Sequence, residues 1–264
     1  MPAEGVSASA GLSQSVEAGR DAYVAGGDLT IVYPVTGAKI VSPPALLPRD
    51  APRFTGRKQE LARIAALAEG GSVVVSTIEG AAGVGKTALA LHAAHRLLPG
   101  FPGGHLYADL RGWTDGLAPA EPGEVLEVFL LRLGVTASDL PTGVEERSGL
   151  LRQLLASRRL LMVLDNVAAE AQVRPLLPGA GSSLVLITSR IVLAGLEVDD
   201  RVRLDVLPDD EATELLVRII GQDRTVAELG AIGRLRELCG CLPLALRIVG
   251  QILAVHPVGF QKSA

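Results

Sequence analysis

Gly80-Ala81-Ala82-Gly83-Val84-Gly85-Lys86-Thr87 decides the reading of this chain. The octapeptide fits G-x-x-x-x-G-K-[ST] at every specified position, a pattern whose chemistry is the cradling of phosphates. Its flanks fit as well. Ser72 to Ile78 (SVVVSTI) is a short apolar run that predicts a buried strand, and Ala88 to Leu98 predicts a helix. Between strand and helix, the backbone of Gly80, Ala82, Gly83, Val84 and Gly85 and the helix start at Thr87 and Ala88 present N–H groups to phosphate oxygens. The three glycines let the chain curl closely around an anion. Lys86 is placed to reach the β- and γ-phosphates of a nucleotide, and the Thr87 hydroxyl to ligate Mg²⁺.

Moving outward, the pattern is α/β from Phe54 to about residue 207. Helices are predicted at 57–67, 123–133 and 145–157. Strands are predicted at 105–110 (HLYADL), 160–164 (LLMVL), 183–188 (SLVLIT) and 202–206. Strands alternating with helices imply a parallel sheet covered on both faces, a three-layer sandwich. Ligands of such sheets sit at the carboxyl ends of the strands. Asp165 follows LLMVL and Arg190 follows SLVLIT-Ser189, so both fall at such ends. Asp165 is read as the Mg²⁺-binding carboxylate and Asn166 as the residue that orients the attacking water. An amide cannot accept a proton at neutral pH, so slow hydrolysis is expected. Arg190 is read as a bidentate contact to the γ-phosphate that tells ATP from ADP. After residue 208 only helices are predicted, at 209–220, 226–239 and 244–255. The expected organisation is therefore a leader (1–52), a nucleotide-binding domain (53–207) and a small helical subdomain (208–264).

Composition narrows the function classes. Hydrophobic residues are 48% of the chain but aromatics only 3%, so the core must be aliphatic. A net charge of −4 argues against nucleic-acid binding by the overall field. No apolar run approaches the roughly 18 residues of a membrane span, and the first residues carry no secretory pattern. The two cysteines, Cys239 and Cys241, are too close in sequence for an easy disulfide and too few for zinc. A reducing, cytoplasmic setting is expected.

Three further features are read as structural. His92 and His95 share a helix face but lack a visible third ligand, so a surface helix is the simpler reading. Asp209-Asp210-Glu211 is read as compensation of a helix dipole, and Arg158-Arg159 as its counterpart at a helix C-terminus. The first 50 residues differ from the rest. A Gly-Asp turn signal recurs at 19–21 and 26–28, each followed by a strand-like triplet, which suits strand pairing with itself or a partner. Ser42 to Pro52 (SPPALLPRDAP) reads as an extended, proline-rich linker.

The ordered set F-T-G-R-x-x-E-L (54–61), G-A-A-G-V-G-K-T, L-L-M-V-L-D-N, L-V-L-I-T-S-R and C-G-C-L-P-L-A-L (239–246) resembles the NB-ARC family of the STAND class of signalling ATPases. FPGGHLYADLRGW (101–113) and QVRPLLPGAGSS (172–183) are similar to the bacterial regulators of that family. The resemblance spans about residues 53–255. It implies a module that holds ADP or ATP with Mg²⁺ between the sheet domain and the helical subdomain. Pro243 would lie near the adenine, and the Phe54–Arg57 segment on the other side of the base. It also implies a protein partner or self-association, since members act as regulatory switches. A P-loop ATPase that drives work by turnover and a non-hydrolysing ADP-binding scaffold remain open. Two departures stand out: Asn166 replaces a frequent second acid, and Cys241 a frequent glycine. Members usually continue into a winged-helix domain, so a chain ending at Ala264 reads as a fragment or a truncated relative.

Overall fold

A computed structural model describes residues 42–255, and the Gly-Asp repeat and the tail after Val255 lie outside these described residues. The elements are α1 (Lys58–Leu67), β1 (Val74–Gly80), α2 (Lys86–Leu97), β2 (His105–Asp109), α3 (Pro122–Arg132), α4 (Val144–Ala156), β3 (Leu161–Val167), α5 (Glu170–Val173), β4 (Leu184–Ser189), β5 (Asp200–Leu204), α6 (Asp209–Ile220), α7 (Gln222–Ala227), α8 (Leu229–Leu238) and α9 (Pro243–Val255). All five strands are parallel, in the order β2-β3-β4-β1-β5. The expected α/β three-layer fold with a parallel central sheet is what forms.

The strands are apolar on both faces because both faces are covered. Leu161 and Val163 of β3 pack into a cluster with Ile64 of α1 and Leu89, Ala90 and Ala93 of α2. Their neighbours Met162 and Leu164 are equally buried and point to the opposite face, and Leu126, Phe129 and Leu130 of α3 are buried as well. A second, smaller cluster of Leu207, Ala212, Leu215, Leu216, Ile232 and Leu246 holds α6, α8 and α9 together.

The strand order sets the site. β4 lies between β1 and β3, so the chain leaving β4 passes between the loop after β1 and the carboxylate of β3. The strand expected to stop at Asp165 runs on to Val167, with a register shift against β4 between Leu164 and Val167. Asn166 sits in this irregularity at φ 60°. Asn tolerates left-handed backbone better than most residues.

Two expected features take a different form. The 42–52 segment is extended, but it is docked rather than free. Ala45 bridges His105 in parallel at the edge of β2, and the His105 N–H donates to Pro44 O at 2.7 Å. Arg159 serves not the helix before it but more distant carbonyls. Its guanidinium donates to Ala68 O at 2.5 Å and to Gly100 O at 2.8 Å, and it lies over the Phe101 ring. These partners come from the sheet's far end and could not be read from the local pattern.

Candidate functional site

The loop Gly80 to Gly85 turns at the end of β1. Gly80, Gly83 and Gly85 have φ of 152°, 76° and 99°, backbone that side chains resist. At Gly83 a Cβ would press on Leu244 at 3.1 Å. Lys86 opens α2, and its ammonium donates to Gly80 O and Ala81 O, both at 2.8 Å. Burial and the nearby Arg190 guanidinium hold its pKa below the ordinary lysine value, against the pull of Asp165.

One turn of charge and hydroxyl surrounds Asp165, which is buried. Thr87 Oγ1 donates to Asp165 Oδ1 at 2.8 Å, and Thr188 Oγ1 donates to the same oxygen. Tyr107 donates to Oδ2 at 3.3 Å, and burial with the adjacent carboxylates Asp165 and Asp109 pushes its phenol well above its usual value. Thr188 also accepts the Asn166 N–H at 2.9 Å. It was visible only as a letter in T-S-R, and no local signal marks it as the anchor of the carboxylate. A hydroxyl and a carboxylate oxygen meeting at one point form a donor set that suits a hard cation such as Mg²⁺.

Asn166 is less free than the sequence suggests. Its amide donates to Thr114 Oγ1 at 3.0 Å and to Asp109 Oδ1 at 3.3 Å. The 109–114 turn is in turn fastened to β3, with Leu110 N donating to Asp165 O and Gly112 N to Asn166 O. This turn delivers Trp113, the only tryptophan of the chain, to the site. The Arg190 guanidinium lies 5.6 Å from the Trp113 ring centroid and donates to Trp113 O at 3.5 Å.

Phe54 and Arg57 arrive from the chain before α1. Arg57 is buried and at φ 60°. Its side chain donates to Val84 O at 3.4 Å and to Asp205 O, and pairs with Glu60 at 3.1 Å. Its backbone N–H is held by both carboxylate oxygens of Glu211, at 3.1 and 3.0 Å. Glu211 thus does more than compensate the dipole of α6: it ties α6 to the sheet domain. Gly56 at φ 75° makes room, because a Cβ there would overlap the Glu211 carboxylate. On the other side, Pro243 begins α9, and Leu244 N donates to Gly83 O at 3.2 Å. Cys241 stands at φ 52°, which explains why glycine suits that position.

These parts enclose a cleft of about 580 Å³ between the sheet domain and α9. Phe54, Arg57, Ala82, Gly83, Val84, Gly85, Lys86, Thr87, Ala88, Asp165, Asn166, Arg190 and Pro243 all line it. Gly80 does not; it works from behind, through its carbonyl on Lys86. Trp113, Thr114 and Arg247 also line the cleft and were not foreseen. Arg247 lies one helical turn beyond Pro243, a spacing that could have found it once α9 was known to face the site.

The NB-ARC domain profile matches residues 57–225. The chain belongs to the NB-ARC family. It is 45% identical over 216 residues to the regulatory protein AfsR of Streptomyces griseus and 43% identical over 221 residues to AfsR of Streptomyces coelicolor. Each alignment covers 81% of this chain but 22% of the relative, so the NB-ARC chain spans about a fifth of these regulators' length. Among solved structures it is similar to a Signal Transduction ATPase with Numerous Domains (STAND) protein with a tetratricopeptide repeat sensor from Pyrococcus horikoshii. That match has a TM-score of 0.51 and 22% identity, and covers 76% of this chain and 30% of the other. It supports the P-loop NTPase fold of the NB-ARC chain. Among the described residues no helix is long and apolar enough to cross a membrane. No group of three or more His, Cys, Asp or Glu side chains among them is placed to hold a metal ion, and His92 and His95 instead face the 48–50 segment.

Proposed function

We propose that this NB-ARC module is an ADP/ATP-binding regulatory switch with slow, Mg²⁺-dependent hydrolysis. The observation that carries the reading is the meeting of Lys86, Thr87, Asp165 and Arg190 in one cleft, from the ends of three neighbouring strands. Loop N–H groups and Lys86 bind the phosphates; Lys86 exchanges its bonds to Gly80 O and Ala81 O for them. Thr87 and Asp165 would hold Mg²⁺, which neutralises phosphate charge when bound. Phe54 and Pro243 line the part of the cleft that suits the base.

Asn166 has only its carbonyl oxygen left to orient a water, since its amide is engaged with Thr114 and Asp109. It cannot take the proton, so turnover is slow and the bound nucleotide persists as a state. Arg190 bonds the γ-phosphate as a planar fork and so makes the two states differ. The closure of α9 over Gly83 gives that difference a mechanical outlet. A cytoplasmic regulator that acts through self-association or a protein partner is consistent with relatives that are regulatory proteins.

The test is calorimetric titration with Mg-ADP and Mg-ATP. Lys86→Ala removes a charge-assisted contact and should cost about 2–3 kcal/mol, roughly 30- to 150-fold in Kd. Equal binding by wild type and variant would end the assignment.

A further inference from the structure

His92, His95 and His105 all face one segment, residues 44–54, although they stand on two different elements. At the edge of β2, Leu46 N donates to His105 O at 3.2 Å, and Leu47 N donates to His105 Nδ1 at 3.1 Å. Gly104, at φ 99°, lets Pro44 approach, since a Cβ there would lie 2.6 Å from Pro44 O. Along α2, His95 Nε2 meets Pro48 O at 2.7 Å. His92 Nδ1 meets both carboxylate oxygens of Asp50, at 3.0 and 3.2 Å. A carboxylate only accepts, so Nδ1 of His92 carries the proton and the ring plane is set by Asp50. The Phe54 ring then stacks on that imidazole, with centroids 4.2 Å apart and planes 8° from parallel. Phe54 is also a wall of the cleft, and Arg247 of α9 donates to Pro52 O at 3.3 Å. The segment therefore touches the sheet edge, the helix that carries Lys86 and Thr87, and the helix that closes the site.

We propose that His92 is a positioning residue for nucleotide binding, acting through Phe54, and that it thereby couples occupancy of the cleft to docking of residues 44–54. This rests on the reading of the cleft as a nucleotide site. Helix α2 is rigid, so His92 holds a constant offset from Lys86, about 9 Å along the axis. The ring it fixes belongs to the arriving chain, not to α2. A base resting on Phe54 thus favours the docked segment, and by linkage the docked segment favours the base by the same factor. His105 and His95 hold the far end of the segment, so the coupling reaches the sheet edge.

The experiment compares wild type, His92→Gln, His92→Phe, Phe54→Ala and the Phe54→Ala/His92→Gln double variant. Two probes are used: ADP, and inorganic tripolyphosphate, which has phosphates but no base. His92→Gln keeps a polar group but loses the ring, and should weaken ADP by about tenfold, the upper range for an aromatic pair. His92→Phe restores the stack and should bind ADP within about twofold of wild type. Tripolyphosphate affinity should be unchanged in both His92 variants. The double variant should bind ADP no worse than Phe54→Ala alone. Hydrogen exchange at the Leu47 amide should slow on adding ADP to wild type, and this response should vanish in His92→Gln. The proposal is overturned if His92→Gln binds ADP as wild type does, or loses ADP and tripolyphosphate equally, or adds to Phe54→Ala. Failure of wild type to bind ADP at all would instead remove the nucleotide reading itself, and the proposal with it.

Discussion

The two halves that meet at the cleft are built differently. The sheet domain fastens Lys86, Thr87 and Asp165 to regular structure. Asp165 is buried under three hydroxyl donors, and Thr188, Thr87 and Tyr107 each come from a different element. Among the described residues, the helical subdomain is organised on one small apolar cluster that includes Leu215, Leu216, Ile232 and Leu246, and one face of α9 shows Leu244, Ile248 and Ile252 about half exposed. Among the described residues, the polar contacts that join the halves include Glu211 on the Arg57 N–H, Leu244 N on Gly83 O, Leu207 N on Cys241 O and Arg247 on Pro52 O. On the proposed reading, a firmly built half beside the phosphate loop and a lightly tethered half across the cleft suit a two-state device, since a state change must cost only a few kcal/mol.

Breaking the tether should have the largest effect. Glu211→Ala removes the carboxylate that holds the Arg57 N–H across the two halves, leaving that N–H without its partner. A loss of about 3 kcal/mol in folding stability is expected, read by urea denaturation, with the helical subdomain melting first. A single unchanged transition would mean that the halves are held mainly by apolar packing.

Arg190→Ala tests the rigid half. It should weaken Mg-ATP by about 1.5–3 kcal/mol and leave Mg-ADP nearly unchanged, in a paired titration. An equal loss for both nucleotides would assign Arg190 to general charge attraction.

A smaller effect, of opposite sign, should come from Cys241→Gly. Relief of left-handed strain at φ 52° is partly offset by the entropy of a new glycine, for a net gain of about 0.5–1 kcal/mol in thermal unfolding. Loss of stability would show that the Sγ contact to Asp209 Oδ1 at 3.5 Å matters more than the backbone.

The weakest expected effect is a pH slope. Burial and His95 hold the His105 pKa below its ordinary value, and Nδ1 must stay bare to accept from Leu47. The unfolded chain therefore binds more protons in the window just below about pH 6.5, so stability should decline as pH falls through that window. His105→Asn, which keeps an acceptor near Nδ1 but does not titrate, should flatten this part of the profile. A slope of equal size in the variant would place the titration elsewhere.

Much of the fold and the chemistry was legible because it is local. Short apolar runs, helical periodicity and the glycines of 80–85 are each signals carried within a few residues, so the α/β order and the phosphate loop could be read in one pass. Asp165 and Arg190 followed from the rule that strand ends carry the chemistry. The incomplete readings have a common cause as well. The local pattern reads Asn166 only as a residue that orients water, Asp209-Asp210-Glu211 only as dipole compensation, His92 and His95 only as residues of a surface helix, and 42–52 only as an extended linker. In each case the deciding partner lies far along the chain: Thr114 for Asn166, the Arg57 N–H for Glu211, Asp50 and Pro48 for the two histidines.

By itself, then, the sequence determined which groups this protein has and the order in which the chain presents them: a phosphate loop, a carboxylate, an arginine and a proline-headed helix, each at the end of a predictable element. Only the tertiary structure decided how those groups are held. The strand order places Arg190 between the loop and Asp165. The fold brings Glu211 to a backbone N–H 154 residues away, and fastens the 44–54 segment to three histidines. The physical reason is that periodicity and turn chemistry are short-range, whereas a buried charge or an unpaired N–H finds its partner wherever folding brings one within about 3 Å.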